Sequence, residues 1–281
     1  MVDRILFGPF VQQEVKDPME VTAKAGWAPI PGGYQRAVVE FPADQAVAID
    51  KQAWDWTMPK WVIAAYFDAK MRQCRNPDDF WLFMCLMRFY HIFGPGTRYI
   101  FPDGATLEQQ FWGVMKSGCY LTLSMNSAAQ FFQHAVAAKR TGWNTVPKMW
   151  AMGDDMLVKM DPEVLEPYLE NLKTTGCIVK QAELSREFAG FRIEGDNIAN
   201  AKCRPLYEEK HKFMIAWMKP ELEDQVMISF SLLYALDPPS WLLNALYRSK
   251  IRLGPKQRQW AKGLINLKML DFVPTLFRFW D

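Results

Sequence analysis

The sequence predicts an α+β fold built on an antiparallel, ferredoxin-like sheet. Ala46-Val47-Ala48-Ile49-Asp50 is an apolar run ending in a carboxylate, which reads as a buried strand. Trp150 to Val158 carries apolar residues into Gly153-Asp154-Asp155 and out again, which reads as a tight β-hairpin with the acids at its tip. Helical stretches follow both, and a last short strand closes an approximate βαββαβ order. In that layout the first strand and the hairpin lie side by side, and Asp50 faces Asp154.

Residues 1–45 are rich in Pro and Gly, with Trp27 to Gly33 as the clearest loop. Met1 opens inside an element that reads as already under way, Val2 to Phe10. After the first strand, Asp55 sits between Trp54 and Trp56, and Pro59 opens a helix to about Cys74. Asn76-Pro77-Asp78-Asp79 is a helix start, and the aromatic helix behind it is expected in the core. Its apolar stretch, Phe80 to Phe93, is broken by Arg88 and His91 and is too short to span a bilayer. Turns follow at Gly94-Pro95-Gly96 and Pro102-Asp103-Gly104. Ser117-Gly118 makes a flexible turn into a helix ending near Arg140, with Thr122 and Asn126 on one face. Beyond the hairpin, Asp161-Pro162 starts a helix ending at Gly176 in the C′ position. Cys177 to Lys180 is a short strand with Lys180 at its end, and Phe188 to Ile193 another. The rest reads as helices over Pro205–Met218, Glu221–Leu236, Ser240–Lys250 and Pro255–Leu267, with scattered Lys and Arg on exposed faces.

Composition narrows the classes. The chain has 281 residues, half of them hydrophobic, enough for one large domain or two small ones. Its net charge of +2 leaves any basic surface to local placement. Five scattered cysteines without a Cys-x-x-Cys pair argue against zinc and a disulfide framework, and fit a reducing compartment. His91, His134 and His211 lack metal-ligand spacing, and no Gly-x-x-x-x-Gly-Lys-Ser/Thr loop is present.

The chemistry therefore rests on carboxylates. Adjacent aspartates repel unless a cation lies between them, and Mg²⁺ takes carboxylate oxygens while keeping positions open for phosphates. A Gly-Asp-Asp in a chain of this length is roughly a one-in-twenty accident of composition, so it needs partners. Asp50 supplies one. Three carboxylates at one end of a sheet make a two-metal site for in-line phosphoryl transfer.

Asp50-x-x-x-x-Asp55, then Ser117-Gly118-x-x-x-Thr122-x-x-x-Asn126-Ser127, then Gly153-Asp154-Asp155, resembles the palm motifs of RNA-dependent RNA polymerases of positive-strand RNA viruses. The sobemovirus, luteovirus and barnavirus type is the nearest. Asp50 to Trp56 and the stretch Val2 to Gly8 both look like segments of that group. The resemblance implies a right-hand polymerase: a fingers remnant over 1–45, palm over 46–75 and 116–195, a fingers insertion over 76–115, and a helical thumb over 196–281. It implies two Mg²⁺, with Mn²⁺ as an alternative, on Asp50, Asp154 and Asp155. It implies that Asp55 and Asn126, with Ser117, Gly118 or Thr122, handle the incoming nucleotide and its 2′-OH. Lys180 would protonate the leaving pyrophosphate, and Phe188 to Phe191 would grip the primer end. Partners would be template and nascent RNA, NTPs and other viral replication proteins. The place would be the host cytoplasm, at membrane-associated replication complexes. The basic fingers motif that holds the triphosphate has no counterpart before Asp50, so a fragment is expected. A reverse transcriptase and a non-catalytic RNA-binding relic are the rival readings.

Overall fold

The computed structural model of the chain describes residues 1–266. They form two compact units: residues 1–27 with 47–184, and residues 28–46 with the chain from Ser185 on. The sheet of the first unit has the order β4-β5-β1-β6. Its strands are β1 (Ala46–Lys51, at the unit boundary), β4 (Met149–Met152), β5 (Asp155–Lys159) and β6 (Val179–Leu184). Numbered along the chain, these four strands run 2-3-1-4 across the sheet, the split-βαβ arrangement expected of a ferredoxin-like unit. β1 pairs antiparallel with β6, Ile49 opposite Ala182 and Asp50 opposite Gln181. β4 and β5 form the hairpin, Met152 opposite Asp155.

Helices cover this sheet. α1 (Val2–Lys16) and α2 (Gly33–Glu40) occupy the stretch that composition marked as loop-rich, so residues 1–45 are more helical than Pro and Gly suggest. α2 belongs to the second unit. α3 (Trp54–Thr57) is a single turn, followed by α4 (Lys60–Gln73) behind Pro59. α5 (Asp79–Phe93) starts as expected: Asp78 accepts a 2.7 Å bond from the Trp81 N–H, a cap worth about 1 kcal/mol. Arg88 on α5 makes a two-point contact with Asp3 on α1, at 2.5 and 3.0 Å. The two expected turns after α5 flank a small hairpin, β2 (Arg98–Ile100) with β3 (Thr106–Glu108). α6 (Thr122–Arg140) packs on α4, on β4 and on α7 (Leu165–Lys173). One continuous core joins Val47 and Ile49 of β1, Val62 and Tyr66 of α4, Phe89 and Phe93 of α5, Met125 of α6 and Val158 of β5.

The expectation that the aromatics of 76–115 are core holds for Phe89 and Phe93 and fails for others. Phe80 and Phe83 on α5 are 73% and 55% exposed, because the helix buries its Cys85-Phe89-Ile92-Phe93 stripe, flanked by the half-buried Trp81 and Met84, and turns those two outward. Gly176 lies three residues past α7, with φ +100°, so it stands at C″ rather than C′. β6 begins at Val179, so Lys180 is its second residue and not its end.

In the second unit, Phe188 to Ile193 is a hairpin, not a single strand. β7 (Glu187–Phe188) turns through Ala189 and Gly190, both at positive φ, into β8 (Phe191–Glu194). β9 (Lys202–Pro205) completes the sheet β7-β8-β9 and takes what read as a helix start at Pro205. The following helices are α8 (Glu208–Ala216), α9 (Glu223–Leu233), α10 (Ser240–Ser249) and α11 (Pro255–Ala261). They pack around Tyr234 and Leu242 and around Trp260. The expected helix end at Leu267, and the assignment of 267–281, lie outside the described residues.

Candidate active site

The acidic hairpin is tight. Gly153 takes φ +65° as the first residue of a two-residue turn, a conformation that suits glycine, and Asp154 is the second. Asp154 and Asp155 are exposed, whereas Trp150, Ala151, Met156, Leu157 and Val158 around them are buried. The hairpin thus plants two carboxylates at the rim of an apolar sheet. β1 adjoins β5 in that sheet and carries Asp50 one residue before its end.

Asp50 is held by Lys180, Nζ to Oδ2 at 2.7 Å, from the neighbouring strand β6. Both side chains are about half exposed or more, so the pair is worth at most about 1 kcal/mol and yields readily to a stronger partner. Among the described residues, no three His, Cys, Asp or Glu side chains come together closely enough to hold a metal ion. Asp50, Asp154 and Asp155 nonetheless offer only carboxylate oxygens, the donor set that suits Mg²⁺ or Mn²⁺.

Asp55 is gripped from two sides. Asn126 Nδ2 donates to its Oδ1 at 2.7 Å, and the Ser117 hydroxyl donates to its Oδ2. The Ser117-Gly118 turn, with Gly118 at φ +90°, brings the serine there. Thr122 does not share this duty. Its hydroxyl bonds back to the carbonyls of Lys116 (3.0 Å) and Cys119 (2.8 Å) and closes the turn that starts α6. Asp55, Gly118, Thr122 and Asn126 line one open cavity of about 580 Å³, whose wall also includes Lys51, Trp54, Gly153 and Asp154. Asn126 is buried, and among the described residues its Oδ1 finds no hydrogen-bond donor and the Trp54 indole N–H no acceptor.

Sequence reasoning missed the support beneath this cavity. Lys51 follows Asp50, and because strand side chains alternate it points the other way, into the interior. Its ammonium donates to Gln133 Oε1 at 2.7 Å and lies 4.3 Å from the centre of the Trp54 ring. Burial pulls its pKa down to about 8, so it stays charged at neutral pH. Ser127, Gln130, Gln133 and His134 of α6 are all fully buried. His134 Nε2 bonds to the Pro147 carbonyl at 2.9 Å, so Nε2 carries the hydrogen and Nδ1 accepts from Tyr168 OH at 2.7 Å. Burial lowers its pKa to about 4 and keeps the ring neutral. The signal for this strip was present: polar residues spaced three and four apart on one face of an otherwise apolar helix.

Fold and site together define an α+β chain whose acid-tipped hairpin and carboxylate-lined cavity share one sheet and one helix. A family model described as viral RNA-directed RNA-polymerase matches residues 86–198, which include Ser117, Asn126, Asp154, Asp155 and Lys180. The replicase polyprotein P2AB of Southern bean mosaic virus is 27% identical over 160 residues, 55% of this chain and 16% of that protein. The RNA-directed RNA polymerase of Mushroom bacilliform virus is 28% identical over 157 residues, 53% of this chain and 36% of that protein. The chain is similar to viral RNA-directed RNA polymerases of the sobemovirus and barnavirus type, and the matches span well under half of those relatives' lengths.

Proposed function

We propose that this chain forms the palm and thumb of an enzyme that copies RNA from an RNA template, joining nucleoside triphosphates for viral genome replication and transcription. The observation that carries the reading is the Asp55 grip. Asn126 lines the cavity and spends its amide N–H on Asp55, while its buried Oδ1 has no donor among the described residues, so a small rotation of the side chain would offer that oxygen to a nucleotide. A ribose 2′-OH is a donor of the right kind for that oxygen, and deoxyribose lacks it.

Asp154, on the same cavity, and Asp50, on the adjoining strand, would hold the metal ions, with Asp155 as a further ligand. When bound, two such ions supply activation of the attacking 3′-oxygen and neutralise charge on the leaving pyrophosphate. Asp50 must exchange its Lys180 contact for this role, and the weakness of that exposed pair permits it. Lys180, so released, would donate a proton to the departing pyrophosphate. Asp55 orients Asn126 and, with Ser117, fixes the sugar end of the nucleotide. Template and nascent RNA would run past the palm in contact with the helical thumb. Action beside other viral replication proteins at host cytoplasmic membranes belongs to the same proposal.

The test is Asp154→Asn. It should lower templated nucleotide incorporation by at least about a thousandfold, since metal-borne charge stabilisation is worth several kcal/mol, with an unchanged circular dichroism spectrum and melting temperature. Primer extension at the wild-type rate would remove the two-metal reading.

A further inference from the structure

Both aspartates of the acidic turn are exposed. Helix α6 holds the backbone between them and the strand before. The Gly153 N–H donates to Ser127 Oγ at 3.0 Å. Gln130 Nε2 donates to the Asp154 carbonyl at 2.7 Å and lies 3.5 Å from the Gly153 carbonyl. Ser127 is itself locked, its hydroxyl donating to the Leu123 carbonyl one turn back at 2.7 Å. Ser127 and Gln130 are completely buried, so these bonds form away from competing water, where a lost partner costs most. The residue before Ser127 is Asn126, which grips Asp55. Within five residues, 126–130, one helix therefore fixes both the turn that carries Asp154 and the Asn126–Asp55 pair.

We infer that Gln130, with Ser127, is a positioning residue: it clamps the backbone of the Gly153-Asp154 turn and so sets the Asp154 carboxylate in register with Asp55 and Asn126. The inference deepens the polymerase reading and rests on it for the identity of the reaction, but not for the clamp. Backbone bonding is why a side chain that touches no substrate can matter. A two-residue turn has few torsions, and holding one N–H and one carbonyl removes most of its freedom, which is how a site is kept near its productive geometry.

The test uses Gln130→Met, which keeps length and apolar volume but removes the donor, and Ser127→Ala as a second route to the same loss. In each, amide hydrogen exchange of residues 152–156 is compared with that of residues 47–50 and 181–183 in the same sample. The expected result is about tenfold faster exchange at the hairpin with the β1–β6 amides unchanged, as for one lost buried hydrogen bond. Mn²⁺, used as the probe ion, should bind about tenfold more weakly. In nucleotide incorporation, kcat should fall about tenfold or more while KM for the NTP moves less than about threefold. Hairpin exchange and Mn²⁺ affinity equal to wild type in both variants would overturn the clamp, whatever the activity. Faster hairpin exchange with unchanged kcat would overturn the positioning role while leaving the polymerase reading standing. Faster hairpin exchange and weaker Mn²⁺ binding in a protein whose wild type incorporates no nucleotide would support the clamp and count against the polymerase reading alone.

Discussion

Along α6, Ser124, Asn126, Ser127, Gln130, Gln133 and His134 are buried, while along α5, which is far more apolar, Phe80, Phe83 and Leu86 are more than half exposed. The two helices invert the usual rule that residue type sets depth. The cause is position. α6 has α4, β4 and α7 packed around it, so even its polar side chains point at protein, and they bond to Tyr66 (Ser124), Asp55 (Asn126), the acidic turn (Ser127 and Gln130), Lys51 (Gln133) and Tyr168 (His134), while one amide atom each of Asn126, Gln130 and Gln133 stays without a partner among the described residues. α5 meets α1 and α4 along one stripe and leaves its other face uncovered by its own unit. Buried polarity is costly unless satisfied, and here it is concentrated on the helix that builds the candidate site. The contrast separates residues kept for packing from residues kept for the site.

The largest effect should come from the buried stripe of α5. Phe89 touches Phe7, Tyr66, Phe67 and Phe93, and Phe89→Ala should cost about 3–5 kcal/mol in urea unfolding, against less than about 0.5 kcal/mol for Phe83→Ala. Equal losses would mean that the outer face of α5 is also packed.

Next in size is the pH response of α6. His134 stays neutral in the fold down to about pH 4, whereas the unfolded chain protonates it near 6.5. The unfolded state therefore binds the extra proton between those values. Stability from this group is complete above about pH 6.5 and falls as pH drops toward 4, by about 3 kcal/mol at most. Urea midpoints across that window should show a sloping loss, with a shallower slope in His134→Gln. Identical slopes in the two proteins would mean that some other group dominates the acid response.

A smaller change in free energy should mark the site end of α6. Asn126→Ala removes the acceptor proposed for the 2′-OH, worth about 1–3 kcal/mol, so preference for ribonucleotides over deoxyribonucleotides should fall roughly ten- to a hundredfold. An unchanged ratio of the two incorporation rates would make Asn126 a structural brace for Asp55 and nothing more.

Much of this was legible in the sequence, and the places where it was not share a cause. β1 with its carboxylate one residue before the end, the Gly153-Asp154-Asp155 hairpin, the helix opened by Pro59, the Asp78 cap and the 19-residue α6 behind Ser117-Gly118 are all local: strand alternation, turn chemistry and capping act within a few residues of one another. The order of those elements was enough for the sheet order β4-β5-β1-β6. Which side chains meet across elements was not local. Lys180 lies 130 residues from Asp50, Gln133 lies 82 from Lys51, and Gln130 reaches a carbonyl 24 residues away. A helix pattern tells which residues share a face, but not whether that face looks at water, as Phe83 does, or at the underside of an acidic turn, as Gln130 does. Only the packing of α6 against the hairpin decided that, because burial and hydrogen-bond partners are properties of the neighbours and not of the residue.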